Sequence, residues 1–208
     1  MRFSILLVVA ATLSAAEFPA PVVDVSPSGK TQTAVLAGGC FWGVEAVFER
    51  LKGVSEVLAG FAGGSKLTAH YEVVGMGMTE HAESVKITFD PAQISYGKLL
   101  EVYFSVAHDP TQLNRQGPDE GKQYRSAVFY VTEDQKRVAQ AYIDQLNRTK
   151  VYPRPIVTQV VQFTGFYATE DYHQHYLDKN PGDPYIVYND LPKLEHLKRQ
   201  FPELLKNR

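Results

Sequence analysis

This chain of 208 residues has one cysteine, one tryptophan and three methionines. A lone cysteine excludes an internal disulfide framework and any zinc site built from several thiolates. Net charge is scarce too: 21 basic against 23 acidic side chains leave a balance of −2, which gives no electrostatic reason to expect nucleic acid or an anionic membrane as partner. A small or neutral substrate fits that balance better. A membrane-spanning run of about 20 apolar residues is also missing. The apolar stretch Ile5–Leu13 is too short; it follows Arg2 and leads into Ser14-Ala15-Ala16 before Glu17. That is the form of a secretory signal peptide over residues 1–16, cleaved after Ala16, with a retained anchor as the alternative. Its removal takes Arg2 with it and moves the net charge from −2 to −3. The reading is an exported protein, periplasmic or secreted, with no stable membrane insertion.

With 44 % hydrophobic and 21 % charged residues, the remainder suits one globular domain with a sizeable core. Residues 17–32, rich in Pro, Ser and Gly, read as an irregular lead-in, and the domain begins at Thr33. Thr33–Gly38 reads as a short buried strand. Val44, Val47, Phe48 and Leu51 then recur at helical spacing, with Gly53 as the stop. Further strands are expected over Val54–Gly60, Glu83–Phe89, Tyr124–Val131 and Ile156–Gln162, with a short extended piece at Tyr185–Tyr188. Helices are expected over Ser95–Val106, Glu133–Thr149, Glu170–Leu177 and Leu191–Phe201. This irregular alternation, without an internal repeat, predicts one α+β domain over 33–208: a two-layer sandwich with helices packed on a mixed sheet.

The only cysteine and the only tryptophan fall together in Gly38-Gly39-Cys40-Phe41-Trp42-Gly43, at the expected strand-to-helix junction. The unpaired amides of a helix N-terminus favour an anion, so the spacing predicts a thiol that ionises more readily than a free one. A nucleophile is the functional reading; a buried structural cysteine is the alternative. The polar run His108–Gly121 is long for a mere connection inside a domain. His173-Gln174-His175 does not read as a metal site, because residues two apart on a helix face different sides and no zinc-like spacing accompanies them.

Gly39-Cys40-Phe41-Trp42, Gly60-Phe61-Ala62-Gly63-Gly64, His81-Ala82-Glu83, His108-Asp109-Pro110 and Gln123-Tyr124-Arg125-Ser126 occur in the order found in the peptide methionine sulfoxide reductase A family, which the chain resembles from Thr33 to about Phe201. The resemblance implies a ferredoxin-like core and reduction of methionine S-sulfoxide, free or in proteins. It implies Cys40 as nucleophile, Glu83 as the acid that protonates the sulfoxide oxygen, and Tyr71 and Tyr124 as further donors. Phe41 and Trp42 would form the apolar wall around the substrate methyl group, Asp119 would hold the substrate backbone, and His173 would lie near the site. No cofactor and no metal are called for. Cys40 would end as a sulfenic acid. The segment after Pro181, where many relatives carry further cysteines, contains none here, so an external thiol reductant, thioredoxin-like, glutaredoxin-like or a small thiol, must restore Cys40. A thiol peroxidase and a methionine-peptide binding module are the competing readings.

Overall fold

Strand β1 (Gln32–Gly38) is buried along most of its length and sends alternate side chains to opposite faces. Ala34 and Leu36 enter the main core, while Val35 and Ala37 join a smaller apolar cluster with Ala62, Ala82, Ala127 and Phe129. The computed structural model describes residues 18–27, 29 and 31–207, so the expected signal peptide lies outside the described residues.

After β1 come α1 (Phe41–Glu49), β2 (Val54–Ala62), α2 (Tyr71–Gly75), β3 (Ala82–Phe89) and α3 (Tyr96–Val102). Two short strands follow, β4 (Arg115–Gln116) and β5 (Asp119–Glu120), then β6 (Ser126–Tyr130), α4 (Glu133–Thr149), β7 (Gln159–Gln162), β8 (Phe166–Ala168), α5 (Tyr176–Lys179) and α6 (Leu191–Gln200). The main sheet runs β7-β6-β1-β3-β2-β8. Its β6–β7 pair is parallel and its other pairs are antiparallel, so the sheet is mixed. The central order β6-β1-β3-β2, with α1 joining β1 to β2 and α3 lying between β3 and β6, is the ferredoxin-like arrangement.

This register decides where chemistry can sit. Strand β1 ends at Gly38, opposite Ser126 at the start of β6, and Leu36 lies opposite Val85 near the start of β3. The residues just after β1, just inside β3 and just before β6 therefore meet at one edge of the sheet. Helix α1 departs from that edge and buries Val44, Val47 and Phe48 in the main core. Each such side chain contributes about 1.5–3 kcal/mol through removal from water.

Helix α4 spans the expected residues and is capped by the Thr132 hydroxyl, which accepts from Gln135 N at 3.2 Å. The lead-in has no regular structure, yet Phe18, Val23 and Val25 pack on the core. Tyr142 and Gln145 of α4 donate to Pro19 O and Ala20 O at 2.6 and 2.7 Å.

Three expectations are corrected. Tyr185–Tyr188 is helical, not extended: Ile186–Asp190 forms a π-helical turn that runs into α6. The helix expected over Glu170–Leu177 is a 3₁₀ turn at Asp171–His173 followed by α5, with His175 left-handed at φ 54° between them. Gln174 breaks it, because its side-chain amide accepts from Ala59 N at 2.9 Å and donates to Ala59 O at 2.8 Å. The Ser95–Val106 helix is regular only to Val102 and continues as a π-helical turn over Tyr103–Ala107.

Candidate active site

Cys40 is the residue that caps α1, and Gly39 before it turns the chain with φ +87°. A side chain at Gly39 would also collide with Gln116, whose Cγ lies 2.5 Å from the position a Cβ would take. The polar run between α3 and β6 thus passes directly over the junction, and this delivers Asp119 to the site. Its shape is fixed by Gln116, which accepts from Asp109 N and donates to Asp109 O at 3.2 and 3.1 Å.

Cys40, Trp42, Tyr71, Glu83, Asp119, Tyr124, Asp183 and Tyr185 line one cavity of about 320 Å³. Six of these eight are residues singled out in the sequence, drawn from five separate segments. Glu83 lies on the same face of β3 as Val85, Ile87 and Phe89, which points it at the head of α1, where its Oε2 accepts from Phe41 N at 3.1 Å. Tyr71 opens α2, and Tyr124 closes the short turn before β6.

Burial governs the protonation of this cavity. It raises the Glu83 carboxyl from 4.5 to about 8 against the opposing Phe41 hydrogen bond, so the group is mostly neutral at pH 7. Burial and the nearby Glu83 push the phenols of Tyr71 and Tyr124 up, which keeps both as proton donors. The expectation of a readily ionised Cys40 is corrected: the thiol is only 8 % exposed, and burial, followed by Glu83 and Asp190, drives its pKa well above the ordinary value. The Trp42 backbone hydrogen bond works in the opposite direction but is outweighed. Desolvation of a thiolate at the foot of a packed helix defeats the helix end.

Phe41 and His173 stand behind the cavity rather than on it. Phe41 is 1 % exposed and packs against the rings of Phe61, Tyr71, Trp42 and His173. His173 accepts at Nδ1 from the Trp42 indole at 3.3 Å and lies 3.8 Å from the Tyr71 ring centre. Burial lowers its pKa, so this imidazole is a neutral brace between two cavity walls. Trp42 is also stacked by Tyr176, with ring centres 3.8 Å apart and planes at 11°.

Asp183 and Tyr185 were not foreseen, because Pro181–Pro184 carries only the signal of a turn and tyrosine is common in this chain. Asp190 was missed as well. It is fully buried beside the first turn of α1, pairs with Lys193 at 3.0 Å, and requires Gly43, where a Cβ would lie 2.0 Å from its Oδ1. Among the described residues, the group able to offer metal ligands is Glu45, Glu49 and His175, none of which lines the Cys40 cavity. Its members already bond one another: His175 Nδ1 meets Glu49 Oε1 at 2.5 Å, His175 N donates to Glu45 Oε2 at 2.9 Å, and Arg50 stands 3.7 Å from Glu49. The cluster is hydrogen-bonded and has Arg50 beside it, while Glu45 Oε1 is buried without a hydrogen-bond partner among the described residues.

A single thiol, a neutral carboxyl and two phenols around one cavity on an α+β scaffold define a cysteine-dependent oxidoreductase. Comparison with known proteins specifies which kind. The chain belongs to the peptide methionine sulfoxide reductase family, whose model matches residues 32–205. It is 57 % identical over 182 residues to the peptide methionine sulfoxide reductase MsrA 2 of Mesorhizobium japonicum, covering 88 % of this chain and 93 % of that one. It is 53 % identical over 192 residues to the MsrA 2 of Synechocystis sp., covering 90 % of each. Among solved structures it is similar to reduced Mxr1 of Saccharomyces cerevisiae (TM-score 0.66, 30 % identity, 80 % of this chain and 94 % of that one). It is also similar to methionine sulfoxide reductase A of Corynebacterium diphtheriae (TM-score 0.64, 31 % identity, 83 % and 91 %).

Proposed function

We propose that this protein reduces methionine (S)-S-oxide, free or within proteins, to methionine, and so repairs oxidised proteins. The observation that carries the reading is the pairing of Cys40 with a carboxyl held neutral near pH 7 in the same cavity. A sulfoxide presents a positive sulfur and a negative oxygen. Sulfur placed against Cys40 directs the oxygen to Glu83, Tyr71 and Tyr124, all of which carry protons to donate. Trp42, braced by His173 and Tyr176, supplies the apolar wall for the methyl group.

The step balances without an added proton. Cys40 sulfur attacks the sulfoxide sulfur as its own proton enters the Glu83 network, and Glu83 protonates the oxygen. The protonated oxygen then passes to the Cys40 sulfur as the S–O bond and the newly formed S–S bond to the substrate sulfur both break, and the thioether leaves. Cys40 is oxidised by two electrons to a sulfenic acid and the substrate sulfur is reduced by two. Because carboxyl and thiol repel when both are charged, they titrate as a pair.

No second cysteine exists in this sequence, so the cycle closes with an external thiol. It forms a mixed disulfide with Cys40 and releases water, and a second thiol restores the free enzyme. The N-terminal pattern at residues 1–16 supports an exported protein acting in the periplasm or outside the cell; amino-terminal sequencing of the mature form should begin at Glu17. Among the described residues no helix is long and apolar enough to cross a membrane. The decisive experiment is mass spectrometry of Cys40 after a single turnover with methionine sulfoxide and no reductant. One added oxygen per chain and one equivalent of methionine are expected. Oxidation of Cys40 by peroxide but not by sulfoxide would instead identify a thiol peroxidase.

A further inference from the structure

Helix α1 gives Trp42 to the Cys40 cavity, but Glu45 and Glu49, four residues apart, share a side of the helix that does not line it. The segment after β8 meets both residue sets. His173 accepts from the Trp42 indole, while His175 reaches the two carboxylates. The two histidines are thus split, as their spacing requires, and the oxygen neighbours of His175 come from α1. One ligand atom from each of Glu45, Glu49 and His175 lies within 4.8 Å of the others.

Glu45 is the member that points to a ligand. Its side chain is 1 % exposed. Oε2 accepts His175 N at 2.9 Å, but Oε1 is buried with no hydrogen-bond partner among the described residues. A buried carboxylate oxygen is costly unless it is paired or coordinates a metal. The nearest guanidinium is engaged elsewhere: Arg50 donates to Asp178 and to Ala46 O, and stands 3.7 Å from Glu49 Oε2. Beside the cluster lies a cavity of about 330 Å³ whose lining includes Glu49, His175, Glu56 and Asp178 and shares no residue with the Cys40 cavity. It offers an entry path and room for water.

We propose that Glu45, Glu49 and His175 form a binding site for one divalent transition-metal cation of the zinc class, with water from the adjoining cavity completing the coordination. One imidazole and two carboxylates make a donor set of borderline softness, whereas magnesium and calcium favour oxygen alone. Ligand atoms held at about 2.0–2.2 Å from zinc in a tetrahedron lie about 3.4 Å from one another. Binding therefore opens the contact between His175 Nδ1 and Glu49 Oε1 from 2.5 Å, displaces the proton it holds, and takes up Glu45 through its unpartnered oxygen. The ion ties His175 to α1. Since His173 and Tyr176 lie on either side of His175 in sequence and both brace Trp42, the same ion fastens that wall of the Cys40 cavity from behind.

The test uses the untagged full chain carrying Cys40→Ser, so that the active-site thiol takes no metal and the result stands apart from the reductase reading. The protein is stripped with a chelator and titrated with Zn²⁺ against a chromophoric competitor near neutral pH. One equivalent of Zn²⁺ per chain is expected. Its Kd should rise at least about tenfold in His175→Ala and likewise in Glu49→Gln, and a large excess of Mg²⁺ should not displace it. Both of these side chains are partly exposed, so the test remains available if the fully buried Glu45→Gln fails to fold. The Tm of the parent should climb with Zn²⁺ concentration, and that climb should vanish in His175→Ala, because only a ligand of the folded state stabilises by mass action. Absence of stoichiometric binding at micromolar Zn²⁺, binding that His175→Ala and Glu49→Gln both leave unchanged, or displacement by Mg²⁺ would overturn the proposal and leave water as the partner of Glu45 Oε1.

Discussion

Replacing Glu83 with Gln removes a transferable proton while leaving side-chain volume and the buried position nearly unchanged. The amide oxygen of the introduced side chain can still accept from Phe41 N, the bond that Glu83 makes at 3.1 Å, so helix α1 keeps its entry geometry. The sulfoxide oxygen retains the two phenols but loses its acid. General acid catalysis contributes about 10²–10⁴ in rate, and loss of one aimed donor costs about 10²–10³. Turnover of methionine sulfoxide should therefore fall by about 10²–10³. The pH profile supplies a second readout: activity that depends on protonated Glu83 declines as pH rises through about 8, and that limb should vanish in the variant.

The thiol should respond in the opposite sense. The charge on Glu83 helps hold the Cys40 pKa up, so above pH 8 the variant should be alkylated by iodoacetamide faster than wild type even as turnover collapses. Stability provides a third readout, with a definite sign. Glu83 binds its proton more tightly in the folded chain than in the unfolded one, so its contribution to stability is full below 4.5 and is lost as pH rises to about 8. At about 1.4 kcal/mol per pKa unit this amounts to several kcal/mol, and the variant, which cannot ionise, should be more stable than wild type at pH 9. Denaturant melts at pH 5 and pH 9 measure it. Residual turnover above a tenth of wild type, with the alkaline limb intact, would refute the assignment of Glu83 as the acid.

Cys40→Ser should abolish turnover to below about 10⁻³ of wild type in the dithiothreitol-coupled assay, since no other thiol can accept the oxygen. Gly43→Ala should destabilise the fold by about 1–3 kcal/mol in thermal melts, because the added methyl meets the buried Asp190 carboxylate at 2.0 Å. Trp42→Ala should raise KM about tenfold or more by opening the stacked Tyr176 wall, a change read from saturation kinetics with peptide substrates. His108 is buried and neutral, its pKa pushed down to about 3. It donates to Tyr103 O at 3.1 Å and accepts from Ser126 at 2.6 Å. His108→Ala should lower stability by about 2–4 kcal/mol in urea melts, since the Ser126 and Tyr103 groups lose their partner.

The sequence determined the nucleophile and most of the partners. One cysteine beside one tryptophan at a strand-to-helix junction leaves a single place for thiol chemistry, and the order of motifs from Gly39 to Ser126 carries the family. It also determined the α+β alternation, because period-two and helical patterns are local. What tertiary structure decided is the protonation. Local reasoning from the helix end predicted an acidified Cys40, but its pKa is set by how completely neighbouring chain removes water and by Glu83 and Asp190, which arrive from positions 43 and 150 residues away. The same holds for Asp183 and Tyr185. Their segment reads as a turn and a short extended piece, yet a π-helical turn brings Tyr185 onto Asp119. No local pattern encodes that contact, because it joins two segments 66 residues apart that meet only in the folded chain, at the cavity that holds the thiol.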